Sequence, residues 1–240
     1  MPLTPEQEWI IAACGLIAHA DGELSNGESD QVLAMLDESM SLEEHERWLA
    51  LLADRPALTR LFHELPPPLP AFTEPLLEQA WTMALADGHA SESELRELER
   101  IAAELGIAAG ELAGWRRQWT DHAVELAEHT AGFAAILIHH DGTIDPEEET
   151  GLRELLARLP LAPSRRDQLA EQLLAHAPAL DHVGARLAAL PRERRLTVLR
   201  SLAPLVAASS RPDLGREFFL DLARSAAISA EQAGRLLGPA

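Results

Sequence analysis

Residues 4–28 read TPEQEWIIAACGLIAHADGELSNGE, and the way this stretch punctuates itself decides the fold. Thr4 is followed by Pro5 and, three residues on, by Gln7, which is the pattern of a helix N-cap with proline at the first position and a capping-box partner. An apolar stripe follows at Ile10, Ile11, Cys14, Ile17 and Ala18, spaced for one helical face. The helix is predicted to end at Asp21-Gly22, where glycine accepts the positive φ of a helix terminus. Ser25 then caps a second helix, with Glu28 closing its capping box. The stretch therefore encodes helix, short turn, helix.

The same word recurs as ADGHASESE at 86–94 and HDGTIDPEE at 140–148, each time with Glu seven residues after the Asp. Behind the three Asp residues, apolar positions return eleven, fourteen and fifteen residues later: Val32, Met35 and Leu36; Leu98, Ile101 and Ala102; Leu152, Leu155 and Leu156. A longer repeat contains them. LLADRPAL at 51–58 matches LLAHAPAL at 173–180, a spacing of 122, and Asp21 and Asp141 lie 120 apart. Adding 122 to Asp87 reaches Ser209, in LVAASSRPDLGRE, so a fourth word has lost its Asp-Gly. The sequence thus predicts an all-α chain of two tandem domains, 1–119 and 120–240, with about seven helices in each. Thr120 is expected to cap the first helix of the second copy, and PPPLP at 66–70 to be a rigid connector between helices. No stretch alternates with period two.

Composition narrows the chemistry. With 240 residues and 47% of them apolar, the chain can bury real cores. All 20 basic residues are Arg, which removes Schiff-base lysine chemistry. The single cysteine, Cys14, has no disulfide partner and reads as a buried structural thiol. Residues 1–119 hold 22 acids and 7 arginines, a charge of −15, whereas residues 120–240 hold 17 and 13, a charge of −4. No nucleic acid is therefore expected as a partner of the first half. Apolar runs such as GFAAILI at 132–138 are far short of the roughly 20 residues of a membrane span, and MPLTPEQEW lacks a basic leader, so a cytoplasmic location is expected.

The acidic words admit two readings. As helix punctuation, Gly22, Gly88 and Gly142 stop one helix while Ser25, Ser91 and Asp145 cap the next and Glu28, Glu94 and Glu148 complete the boxes. That leaves the Asp unexplained, because a carboxylate at a helix C-terminus opposes the macrodipole. An Asx-turn to the following amides would compensate it. A divalent cation, calcium or magnesium, would do so too, making Asp21, Glu28, Asp87, Glu94, Asp141 and Glu148 its candidate ligands. Each word is too short to wrap calcium as an EF-hand loop does. His19, His139 and His140 beside the words could add nitrogen ligands; a metal-dependent hydrolase built on the motif carboxylates with His139 or His140 is the enzymatic alternative, and a simple cation buffer is a third. No nucleophile elbow, phosphate loop or HExxH accompanies them.

The repeated Asp-Gly with its capping Ser and Glu, in copies about 66 residues apart, resembles the TerB-like family, named for tellurite resistance and including the N-terminal region of DjlA co-chaperones. The resemblance covers nearly the whole chain as two tandem copies. It implies an all-helical fold with two pseudo-symmetric halves per domain and a bacterial cytosolic role in stress response or protein quality control. It also implies a protein partner, often membrane-associated or metal-handling, and no enzymatic activity. The family's acidic positions map onto the six carboxylates named above; Ser209 and Ser210 depart from the pattern.

Overall fold

The computed structural model describes residues 3–22, 41–86, 88–208 and 212–237. Among these it contains helices and connectors and no strand. The helices are α1 (Pro5–Ala18), α2 (Leu42–Leu52), α3 (Arg55–Glu64), α4 (Pro70–Ala84), α5 (Glu92–Glu104), α6 (Ala109–Ile138), α7 (Pro146–Ala157), α8 (Pro163–Ala175), α9 (Leu180–Ala188), α10 (Arg192–Ala208), α11 (Pro212–Ser225) and α12 (Ala230–Leu236). The chain divides into two compact units, Met1–Ala123 and Val124–Ala240.

Each unit has its own apolar core. In unit 1 the core forms around α1, whose residues from Trp9 to Ala18 are all buried. A helix apolar on every side has no face to give to water and must be surrounded; α3, α4 and α5 pack against it. The approach is close at Gly15, where an added Cβ would meet Leu52 Cδ2 at 2.7 Å and Leu58 Cδ2 at 2.8 Å. In unit 2 the C-terminal part of α6 plays the corresponding part, with His129 through Ile138 buried. The peripheral helices bury one stripe only. On α5 it comprises Glu94, Leu98, Ile101 and Ala102, and on α7 Glu148, Leu152, Leu155 and Leu156. These are the apolar positions expected behind the second and third words; Val32, Met35 and Leu36 lie outside the described residues.

The predicted helix starts at Thr4, Ser91 and Asp145 form as capping boxes, and Ser41 with Glu44 forms another at the start of α2. The connector at 66–69 has no regular structure and leads straight into Pro70 of α4. The expected helix start at Thr120 does not form, because α6 runs unbroken through it. Thr120 Oγ1 donates to the Arg116 carbonyl one turn back at 2.8 Å and accepts from Trp81 Nε1 at 2.9 Å. A threonine hydroxyl can cap a helix or bond back to the preceding turn, and WRRQWTDHAVELAEH offers no Gly or Pro to end the helix before it. The division into units accordingly falls inside α6, after Ala123, and not at a connector.

Candidate functional site

The third Asp-Gly word shows its geometry most fully. Gly142 ends α6 with φ +84°, its amide donating to the His139 carbonyl at 3.1 Å. Asp141 Oδ1 accepts from the Thr143 amide at 3.0 Å and the Thr143 hydroxyl at 3.1 Å, forming the Asx-turn that compensates a carboxylate at a helix C-terminus. Asp145 Oδ1 accepts from the Glu148 amide at 2.7 Å, and Glu148 Oε2 accepts from the Asp145 amide at 3.1 Å. Side-chain oxygens of Asp141, Asp145 and Glu148 are thus turned onto amides of their own loop.

The second word repeats the glycine turn and the capping box. Gly88 has φ +90°, Ser91 Oγ accepts from the Glu94 amide at 3.2 Å, and Glu94 Oε2 accepts from the Ser91 amide at 2.6 Å. Glu94 and Glu148 are each only 5% exposed. In the first word Gly22 has φ +88° and Asp21 is exposed. Glu28 and Asp87 lie outside the described residues, as do Ser25, Ser209 and Ser210. Among the described residues, no three His, Cys, Asp or Glu side chains form a group that could hold a metal ion.

The histidines beside the words serve helix ends. His19 Nε2 bonds the Leu52 carbonyl at 2.5 Å and His139 Nε2 the Leu173 carbonyl at 2.8 Å. Since a carbonyl only accepts, Nε2 carries the proton in both. Each carbonyl lies in the last turn of its helix, α2 or α8, where intrahelical donors run out. His140 Nδ1 donates to the Leu137 carbonyl at 2.8 Å, and the ring stacks on Phe218 with centroids 5.5 Å apart. Cys14 is fully buried, and desolvation pushes its thiol far above the ordinary range, so it is no nucleophile.

No protein-family model, curated protein or solved structure matches this chain. What it can do must be argued from its own surfaces and cavities.

One cavity in unit 2 escaped the reading of motifs. A cleft of about 180 Å3 opens between the C-terminal part of α6, α8 and α9. Leu169, Leu173 and Val183 are buried in its wall, and Arg165, Arg186 and His129 supply its polar groups. Arg165 is held by Glu128, with Nε at 3.1 Å and Nη2 at 2.6 Å from one carboxylate oxygen. Arg186 makes no hydrogen bond among the described residues; Glu125 Oε1 approaches its Nη2 only to 3.7 Å. His129 is 5% exposed, and its buried Nε2 has no hydrogen-bond partner, Glu125 Oε1 lying 3.6 Å away. Burial lowers the His129 pKa and the Arg186 charge lowers it further, against the opposing pull of Glu125 and Glu128.

A signal for this cleft is present in the sequence once the repeat is used position by position. His129 stands 120 residues after Trp9, the spacing that also relates His19 to His139. In unit 1 the Trp9 ring packs against Phe62 with centroids 5.4 Å apart. The residue 122 after Phe62 is Gly184, where an added Cβ would meet Ser225 Oγ at 2.9 Å. Asp54, which caps α3 by accepting from the Ala57 amide at 3.1 Å, has His176 at its counterpart. Without that cap, residues 176–179 are not helical and α9 begins only at Leu180. Where unit 1 has two packed rings and a cap, unit 2 has a smaller ring, a glycine and an open connector.

Proposed function

We propose that this chain is a non-enzymatic helical interaction module of the bacterial stress-response or tellurite-resistance type, built as two tandem TerB-like bundles. The tandem reading is supported by the recurrence of the Asp-Gly words and by the matching histidine bonds at the ends of α2 and α8. It is supported further by the capping boxes of α5 and α7, which bury glutamates at the same place in each word. The partner is a protein with a basic, partly apolar surface, in the cytoplasm or at a membrane-associated complex, and not a nucleic acid.

The observation that carries this reading is the outward face of α2. Leu42 is 75% exposed and Leu49 39% exposed, and Glu46 lies between them on the same stripe, with Glu43 adjacent. Leucines at that exposure cost the free protein apolar hydration, and the surrounding charge of −15 favours a cationic counterpart. Glu94, by contrast, belongs to a buried capping box and is a poor place to look for partner contacts.

The metal-dependent hydrolase gains no comparable support, since His139 Nε2 and His140 Nδ1 already serve backbone carbonyls. The test is capture of cellular proteins on the full chain, against the double variants Glu43→Arg with Glu46→Arg and Leu42→Ser with Leu49→Ser. A partner held by the parent and lost in both variants, at unchanged helicity, supports the reading. Retention of every captured protein by both variants contradicts it.

A further inference from the structure

The cleft of unit 2 joins three features: a buried apolar lining, a buried imidazole whose Nε2 has no hydrogen-bond partner, and an arginine that faces Glu125 at 3.7 Å without a hydrogen bond among the described residues. A buried polar nitrogen without a hydrogen-bond partner is costly to keep, so a ligand that accepts from it is favoured over the empty state. Arg186 also lines the cleft, and a guanidinium recognises a carboxylate in two-point fashion. Leu169, Leu173 and Val183 would take an aliphatic group beneath those donors. At about 180 Å3 the space equals the share of about six liquid waters, well under the roughly 300 Å3 at which pockets for drug-sized ligands begin.

We propose that this cleft is a binding site for a small aliphatic carboxylate, its anionic end held by Arg186 and the His129 Nε2–H and its alkyl group on Leu169, Leu173 and Val183. Glu128 keeps Arg165 oriented at the rim and prevents two bare guanidiniums from facing each other. Glu125 Oε1 faces His129 Nε2 at 3.6 Å and Arg186 Nη2 at 3.7 Å, at ion-pair rather than hydrogen-bond distance, so the ligand carboxylate takes the place of that looser pairing. Unit 1 cannot host the same ligand, because the Trp9 and Phe62 rings pack together where their counterparts in unit 2 are His129 and Gly184. The site is thus a difference between the two units and is independent of the α2 face.

The test is a titration of the full chain with 3-methylbutanoate, following the His129 imidazole by nuclear magnetic resonance, with 3-methylbutanamide as the uncharged control. The expected result is a saturable shift of His129 with a millimolar dissociation constant and at least about tenfold weaker binding of the amide. Arg186→Gln, at an exposed position that leaves the core intact, should weaken carboxylate binding by a similar factor. His129→Trp, which restores the bulk found at Trp9, should abolish it while the protein still melts cooperatively. Equal binding of acid and amide, survival of binding in Arg186→Gln at full strength, or no His129 shift at about 100 mM acid would each overturn the proposal.

Discussion

Replacing Glu94 by alanine should destabilise unit 1 selectively, by an amount that the geometry of the second Asp-Gly word sets. Glu94 Oε2 accepts from the Ser91 amide at 2.6 Å, at the N-terminus of α5, from a side chain 95% removed from water. A hydrogen bond to a charged group contributes about 1.5–3 kcal/mol, and a carboxylate in the first turn adds about 0.3–1 kcal/mol against the macrodipole. Both are partly offset because the Ser91 amide can be rehydrated, Ser91 being half-buried, so a net loss of about 2 kcal/mol is expected. With an m-value of about 2 kcal/mol/M for a unit of this size, the urea midpoint should fall by about 1 M. All five tryptophans, Trp9, Trp48, Trp81, Trp115 and Trp119, lie in unit 1, so intrinsic fluorescence follows that unit alone. The box also predicts coupling, since Ser91 Oγ accepts in return from the Glu94 amide at 3.2 Å. Ser91→Ala on top of Glu94→Ala should cost less than the sum of the two singles. A midpoint shift below about 0.2 M, or strict additivity, would refute the claim that this glutamate is a structural cap.

Other consequences are quicker to check. Gly15→Ala gains helix propensity, yet its methyl would sit 2.7–2.8 Å from Leu52 and Leu58. Overpacking should win, costing about 1–3 kcal/mol in the same fluorescence-detected unfolding. Cys14 should resist thiol reagents in the native protein and react at once in denaturant, because the thiol is buried and its ionisation suppressed. The lowered pKa of His129 makes the folded protein bind this proton later than the unfolded chain does. The stability owed to neutral His129 is therefore complete above the unfolded value of about 6.5 and is lost as pH falls from there toward the folded value. The facing charges are Glu125 and Glu128 on α6, Arg165 on α8, and His182 and Arg186 on α9. The loss should be reduced in His129→Gln, read from the pH dependence of thermal unfolding.

The helix punctuation was legible because it is local. A cap at Thr4, Ser41, Ser91 or Asp145 needs only its own hydroxyl or carboxylate and a partner three residues on, and all four form. Thr120 has the same residue type but sits after a turn that already offers the Arg116 carbonyl, and the Trp81 indole fixes its hydroxyl from a distant helix. Which of the two uses a threonine adopts depends on that tertiary contact, which no local pattern encodes. The histidines near the words illustrate a second limit. Their closeness to carboxylates in the sequence suggested ligands, whereas His19 and His139 reach across to α2 and α8, more than thirty residues away. The cleft was hidden because it consists of things absent: the ring of Trp9, the ring of Phe62 and the cap of Asp54. Only the 120- and 122-residue spacings, applied one position at a time, expose those losses.

In the second and third Asp-Gly words Ser91 and Asp145 begin helices, and Glu94, Asp141, Asp145 and Glu148 accept from amides of their own loops. This use of the carboxylates is tested most directly by titrating calcium and magnesium into metal-free protein while following its melting temperature, alongside Asp141→Asn. Only the small, non-saturating change of ionic screening is expected, equal for both ions and unaltered in the variant, because Asn can keep the Asx-turn to Thr143. Saturable stabilisation by one ion, growing as RT ln(1 + [ion]/Kd) and lost in Asp141→Asn, would contradict that expectation and make the words cation sites.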